Sequence, residues 1–499
     1  MPGPDDARLT AMIRGILNRH PAVGLAVGVV RDGALEFFSA HGLADVAPGR
    51  PITQDTVFRV ASITKTFTAI AVLQLHEQGL VDLDAPANGY LRSYRLVTRD
   101  PSWRPPTVRH LLTHTAGLGE EVSRSSILRR DFGETVPVGG RVPTLAEYYR
   151  GRLRVDAEPG TRFRYTDHGP ATLGQLVADV SRKPFEVYLR EHVFSPLGMS
   201  DTALHRPPLP GSRFATGYTL GRRGVTEVSE RQFIPAGAGS AFSTPRDMAR
   251  YLAALLGGGT NEHGTVLEPA TLASMFEPQY QPDPRIPGIG LAFFRVSAGD
   301  HAVVEHQGLL PGFDSQIFAA PDAGVGVMAF TNGTAQGGMW LPAEMGRLLD
   351  RVLGVPDRTT RTDAAHHPEV WNDLIGWYYL PGPITDLRLR TFMGAGIEVF
   401  VRRGELRLRL LTPVPALAKG FVLHPDDDED PYVFRIDLLG DGLLTMKIVF
   451  SQGVGGATTG VHVDVMPVSA WKQPAATNPR RWATGALALA VAGGVLRRR

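Results

Sequence analysis

Ser62-Ile63-Thr64-Lys65 is the first segment whose residue types and spacing could do covalent chemistry. On a helix, residues three apart share a face, so this spacing sets an alcohol and an amine side by side. A serine is a weak nucleophile until a neighbouring base takes its proton, and a desolvated lysine whose pKa has fallen can do that. The start of a helix adds unpaired backbone N–H groups and a positive dipole end, both suited to a developing oxyanion. The pattern is short, and a second copy, Ser469-Ala470-Trp471-Lys472, follows a strand-like run; lacking a helix, it is read as accidental. Lysine usage favours the first copy. Only five of the 52 Lys and Arg residues are Lys, so Arg is preferred wherever charge alone suffices, and Arg cannot yield its proton whereas Lys can.

Two further segments carry candidate groups. Tyr165-Thr166-Asp167 precedes a helical pattern; a phenol beside a cationic lysine has its pKa lowered and can carry protons to and from a serine. An ordinary buried Tyr bonded to backbone fits the same residues. In His306-Gln307-Gly308, entering a strand-like run, the His could present a cation or donor to a substrate, and the Gly lets an edge backbone approach closely. A structural His fits there as well.

The elements that must position these groups are legible in outline. Residues 23–30 and 35–38 read as two strands about the turn Asp32-Gly33. Ser62 opens a helical pattern that Gly79 ends. Residues 99–145, rich in Pro, Gly, Ser and Arg, read as an irregular surface excursion. Helices are expected over Ala171–Ser181, with Pro170 in the first turn, and over Pro245–Leu256. Residues 305–333 alternate short apolar strands with turns. Strands that precede, surround and follow helices predict a sheet covered by helices.

With 499 residues, 43% of them hydrophobic, the chain is long enough for two or three domains. A net charge of +2 supplies no basic field for nucleic acid. The absence of cysteine excludes disulfides, thiolate catalysis and Cys-ligated zinc. No G-x-S-x-G elbow, H-E-x-x-H helix or phosphate-binding G-x-x-x-x-G-K-[ST] loop occurs, so α/β-hydrolase, zinc-protease and nucleotide chemistry are set aside.

The three segments together resemble the S-x-x-K, Y-x-N and K-T-G or H-x-G elements of the penicillin-recognising serine hydrolases. That family includes class C β-lactamases, D-alanyl-D-alanine carboxypeptidases, D-aminopeptidases and related esterases. Framework segments resemble it too, in the family's order over roughly residues 20–350: 56–68 (TVFRVASITKTFT), 111–118 (LLTHTAGL), 196–199 (PLGM) and 243–248 (STPRDM). The resemblance implies an α+β, β-lactamase-like fold, with an antiparallel sheet covered by helices plus a helical region. It also implies acyl transfer on Ser62, with Lys65 and Tyr165 handling its proton and either of them the formal base. The backbone N–H groups of Ser62 and Leu309 would hold the oxyanion, with Asp167, His306 and Gly308 binding the substrate and no metal or cofactor involved. Two departures shift the expected substrate. Asp167 stands where the family usually has Asn; a carboxylate would keep Lys65 charged and cannot donate to a substrate carbonyl. His306 stands where β-lactamases have Lys, which weakens attraction for a substrate carboxylate. An esterase or peptidase-like hydrolase is therefore expected before an efficient β-lactamase or carboxypeptidase. The alternative from another class is a catalytically silent binding or structural module.

Residues 1–355 are assigned to the hydrolase domain and 356–367 to a linker. Residues 368–474, with alternating runs at 387–390, 397–401 and 406–410, are assigned to a small β-barrel-like domain that resembles a lipocalin-like appendage. The acidic run Asp426–Asp430 is read as a solvated loop. Residues 475–499 form a tail in which 482–496 is an uncharged, Ala- and Leu-rich stretch between arginines. As a helix it would rise roughly 22 Å, short of a bilayer core of roughly 30 Å, so both membrane association and a soluble tail helix are open. The start of the chain has no apolar signal-peptide core, and a cytoplasmic location is expected.

Overall fold

The computed structural model describes residues 4–119, 134–334, 340–356, 359–381 and 394–480, apart from 413, 439, 441 and 443. The chain divides into two compact units, Met1–Tyr280 with Pro287–Asp357, and Gln281–Ile286 with Arg358–Arg499. The tail stretch 482–496 and the run 387–390 lie outside the described residues.

The first unit is built on a seven-stranded antiparallel sheet. Its strands are β1 (Gly24–Arg31), β2 (Ala34–Asp45), β3 (Arg50–Pro51), β4 (Phe294–Ala298), β5 (His301–Leu310), β6 (Phe313–Ala320) and β7 (Val325–Thr331), in the order β4-β5-β6-β7-β1-β2-β3. β1 and β7 are central and covered on both faces, which is why they read as nearly continuous apolar runs. On one face Leu25, Val27 and Val29 pack with Ile13 and Ile16 of α1 (Pro4–Arg19) and Leu341, Met345 and Leu348 of a C-terminal helix (Trp340–Leu353). On the other face Ala26 and Val30 join a larger core containing α2 (Thr64–Glu77), α3 (His168–Ser181) and α4 (Pro245–Leu256). α4 has the expected bounds, with Thr244 as its cap accepting from the Asp247 N–H. α3 begins two residues before Pro170, and the strand expected to end at Phe38 runs on to Asp45.

α2 is the buried spine of this region, with twelve of its fourteen residues buried. The helix expected to open at Ser62 instead opens at Thr64. Ser62 lies in a preceding 3-10 turn, Ala61–Ile63.

The second unit is a nine-stranded antiparallel sheet whose end strands are Phe421–Val422 and His424–Pro425; the first of these approaches Val433–Asp437, the neighbour of the other, so that the sheet is nearly closed. Its interior is apolar, with Tyr378, Val399, Leu408, Ile436, Ile448 and Phe450 among the buried side chains. The unit opens on a helix, Pro368–Leu374. The second S-x-x-K copy falls in the strand Ser469–Gln473, where residues three apart point to opposite faces; Ser469 bonds His462 Nδ1 at 2.8 Å and Lys472 turns to Asp373. The acidic run is tied to arginines, Asp426 to Arg435 at 2.7 Å, Asp428 to Arg361 at 3.0 Å and Asp430 to Arg285 at 2.7 Å. Among the described residues no helix is long and apolar enough to cross a membrane.

Candidate active site

The turn bearing Ser62 is held from three directions. Ala61 adopts a left-handed conformation (φ 49°), a strained choice for a residue with a Cβ, and this turns the chain sharply into α2. Thr64 closes the turn by donating to the Ala61 carbonyl at 2.6 Å and accepting from the Ala241 N–H at 3.0 Å. Ser315 on β6 donates to the Val60 carbonyl at 2.9 Å, pinning the turn against the sheet. Gly308 on β5 meets the same turn: a Cβ there would run into the Val60 carbonyl and the Ser315 hydroxyl, so glycine is required by close approach. Ser62 itself is half-buried and reachable.

Lys65, fully buried on the first turn of α2, donates to Ser62 Oγ at 2.8 Å, Asp167 Oδ1 at 2.7 Å and the Ala238 carbonyl at 2.8 Å. These three acceptors match the three N–H groups of an ammonium. Burial disfavours the charged amine, but the Asp167 carboxylate and then Tyr165 outweigh it and hold the Lys65 pKa above its ordinary value. The expectation of a lysine with a lowered pKa is therefore corrected: the carboxylate in contact decides the sign. The Ala238 carbonyl comes from a short helix, Ala236–Gly239, which Thr68 secures by donating to Gly237 at 2.7 Å.

Tyr165 lies beside this pair, with Lys65 Nζ 4.9 Å from its ring centroid and its phenol in polar reach of both Lys65 and Ser62. Burial raises the phenol pKa above its ordinary value, and the adjacent Lys65 charge offsets this only in part. That corrects the expectation of a lowered phenol pKa. Asp167 caps the start of α3 through its carbonyl, which accepts the Ala171 N–H, while its carboxylate turns to Lys65.

His306 is buried on β5, with Nδ1 2.7 Å from the Gln307 carbonyl and its ring 5.6 Å from Phe294. A carbonyl can only accept, so Nδ1 carries the hydrogen and Nε2 a lone pair. Burial, then repulsion by Lys65, pushes the His306 pKa down to about 3. The ring is a neutral group, and the cation considered for this position is not present.

β4 pairs with β5 only as far as Glu305, leaving the rest of that edge uncovered by β4. The two-residue hairpin turn closes on the Leu310–Phe313 pair, so alternation along the ladder directs the Gln307 and Leu309 N–H groups to the open side. Leu309 is correspondingly exposed.

Sequence reasoning missed three contributors. The Ala238 carbonyl has no side-chain signal. Phe294 lies 6.2 Å from the Tyr165 ring at an interplanar angle of 25°. His114, inside the framework segment 111–118, stacks on Tyr165 at 4.5 Å.

An alcohol on a strained turn, an amine one helical turn on and a phenol beside both thus stand together under an antiparallel sheet edge. The beta-lactamase family description matches residues 9–379, and the chain belongs to that family. Among its relatives are the esterase EstB of Burkholderia gladioli, 31% identical over 265 residues (52% of this chain, 67% of EstB), and a beta-lactamase of Yersinia enterocolitica, 28% identical over 239 residues (48% of this chain). The chain spans 56% of the length of the Yersinia protein. The octameric penicillin-binding protein homologue from Pyrococcus abyssi shares the fold, with a TM-score of 0.59 at 22% identity, covering 93% of this chain and 99% of that one. A D-amino acid amidase from Ochrobactrum anthropi SV3 superposes with a TM-score of 0.56 at 26% identity, over 70% of this chain and 99% of the amidase.

Proposed function

We propose that this chain hydrolyses a neutral ester, or an amide without a nearby carboxylate, through an acyl-enzyme on Ser62. The observation that carries the reading is the triple commitment of the Lys65 ammonium to Ser62, Asp167 and Ala238. Because Asp167 keeps that amine charged, Lys65 acts as a fixed cation and proton traffic falls to Tyr165. In acylation Ser62 Oγ bonds to the carbonyl carbon, its proton passes to Tyr165 Oη, and the Tyr165 proton leaves on the departing alcohol or amine. Water reverses the path: it loses a proton to Tyr165 as it attacks, and Ser62 regains one as it leaves. The oxyanion is taken by the N–H of Ser62, at the head of a helical turn, and that of Leu309 on the open edge of β5.

Substrate choice follows from charge. Asp167 cancels Lys65, and His306 offers a lone pair where a carboxylate would need a cation. The esterase among the relatives and the amidase among the solved structures are in keeping with this reading. The second unit we read as a lipocalin-like appendage to the hydrolase.

A fluorophosphonate probe tests the reading directly. The purified chain is expected to be labelled, with labelling lost in Ser62→Ala, and to turn over short-chain p-nitrophenyl esters with a higher kcat/KM than nitrocefin. No labelling by any acylating probe would favour a silent binding module, and nitrocefin turnover above that of the esters would overturn the substrate assignment.

A further inference from the structure

His114 grips three consecutive residues of the Tyr165 segment. Its backbone is left-handed (φ 56°), in the turn after the short helix Val108–Leu112. That twist aims its carbonyl at the Arg164 N–H, 2.7 Å away, and its Nδ1 at the Thr166 N–H, 3.3 Å away. Between those two bonds the imidazole lies on the Tyr165 ring, centroids 4.5 Å apart and planes 28° apart. Phe294 lies near-parallel to the phenol ring, centroids 6.2 Å apart and planes 25° apart, and Phe163 meets both His114 and Phe294 edge-on. The phenol ring is thereby packed among three aromatic side chains, with the His114 ring stacked on it most closely. Its hydroxyl end is in polar reach of Ser62 and Lys65.

The hydrogen bond also assigns the tautomer. An N–H donates to Nδ1, so Nδ1 carries the lone pair and Nε2 the hydrogen. A protonated ring could not accept from Thr166, and it would add a second cation against the phenol.

We propose that His114 is the positioning residue for Tyr165, and that it serves only as the neutral Nε2–H tautomer. The proposal rests on the reading of Tyr165 as proton carrier. The groups facing the ring favour neutrality. Burial comes first, then Lys65 from α2 and His306 from β5, with the Asp167 carboxylate opposing them from the start of α3; together they hold His114 well below the ordinary histidine pKa. The charge of Lys65 is thus the only cation set against the phenol by these groups, which ties the acidity of Tyr165 to Lys65.

Two substitutions separate the contributions. His114→Asn keeps an acceptor near the place of Nδ1 and tolerates the left-handed backbone, but removes the stacking ring. His114→Phe keeps a ring and removes the acceptor. With rates normalised to active sites titrated by the fluorophosphonate, kcat for p-nitrophenyl acetate is expected to fall at least about tenfold in His114→Phe, with KM changed less than about threefold. His114→Asn is expected to lie between that variant and the wild type. An unchanged kcat per titrated site in His114→Phe overturns the proposal, as does a loss confined to KM. In ¹⁵N-histidine spectra of the full chain, assigned by difference with His114→Asn, the His114 ring is expected to stay neutral from pH 8 to pH 5.5. Titration to imidazolium near pH 6.5 overturns the proposal whatever the rates of the variants. If the wild type never acylates, the hydrolase reading fails while the spectra still decide the tautomer.

Discussion

The amine of Lys65 has three hydrogens and three acceptors, and one of them, Asp167, sets what the other groups can do. Replacing that carboxylate by an amide removes the anion that keeps the lysine charged and supplies a donor for a substrate carbonyl. Asp167→Asn is therefore expected to raise the ratio of nitrocefin to ester kcat/KM by about tenfold, the scale of one charge-assisted hydrogen bond. An unchanged or lower ratio would show that the carboxylate is not the obstacle. His306 gives the complementary test. His306→Lys places a cation where the chain has a lone pair, and should lower KM for carboxylate-bearing β-lactams by about tenfold relative to neutral esters. Parallel changes for both substrates would remove His306 from specificity. At this scale the spacing of 62, 65, 165 and 167 was readable because helix and turn geometry is local. The sign of the lysine and tyrosine shifts was not, since it depends on a contact between residues 102 positions apart and on burial.

The β5–β6 hairpin and the turn at Ser62 form one working element, joined where Ser315 and Gly308 meet Val60. Any side chain at 308 must push the turn and the strand edge apart, so the distance from the nucleophile to the Leu309 N–H depends on a glycine. Gly308→Ala is expected to cost about 1–3 kcal/mol of stability, the usual range for overpacking, and to lower kcat more than tenfold in the folded fraction. Gly33→Ala is the control. It strains a positive φ of 79° with open space around the added methyl, and should cost about 1 kcal/mol without changing kcat. Thermal unfolding and active-site titration on both variants separate the effects; equal kcat values would detach Gly308 from the site. The strands and helices that sequence located best, β1 and α4, carry their signal within themselves, as an apolar run and as a capped amphipathic period. β4 was missed because Phe294–Ala298 is short and mixed in polarity, and it is a strand only through its pairing with β5. No local pattern assigns Gln281–Ile286 to the second unit, where Ile286 packs with Val433 and Val449.

Across the first unit, most buried charges have a partner of opposite sign or several donors: Lys65 has Asp167, Glu344 has Arg19 and His20, and Asp247 has Thr202 and the Asp201 N–H. Asp314 on β6 is different. It is 2% exposed, Gln307 donates to its Oδ1 at 3.1 Å, and among the described residues none is placed to make a well-formed hydrogen bond to its Oδ2. Burial pushes its pKa from the ordinary 3.8 to about 7, against the smaller effects of Gln307 and the Ser315 N–H. The folded state therefore keeps a proton that the unfolded chain releases at lower pH. The contribution of Asp314 to stability falls as pH rises from about 4 to about 7 and stays lost above that range. Asp314→Asn keeps the shape and the Gln307 bond but has no proton to lose. Relative to wild type, the variant should gain up to about 3 kcal/mol between pH 5 and pH 8, two pH units of the window at about 1.4 kcal/mol each. Glu305, also pushed up to about 7 by burial, titrates in the same range in both proteins and cancels from the difference. Urea unfolding of the two proteins at pH 5 and pH 8 reads the effect, and curves that run parallel would mean that Asp314 is ionised in the fold and that some donor reaches Oδ2.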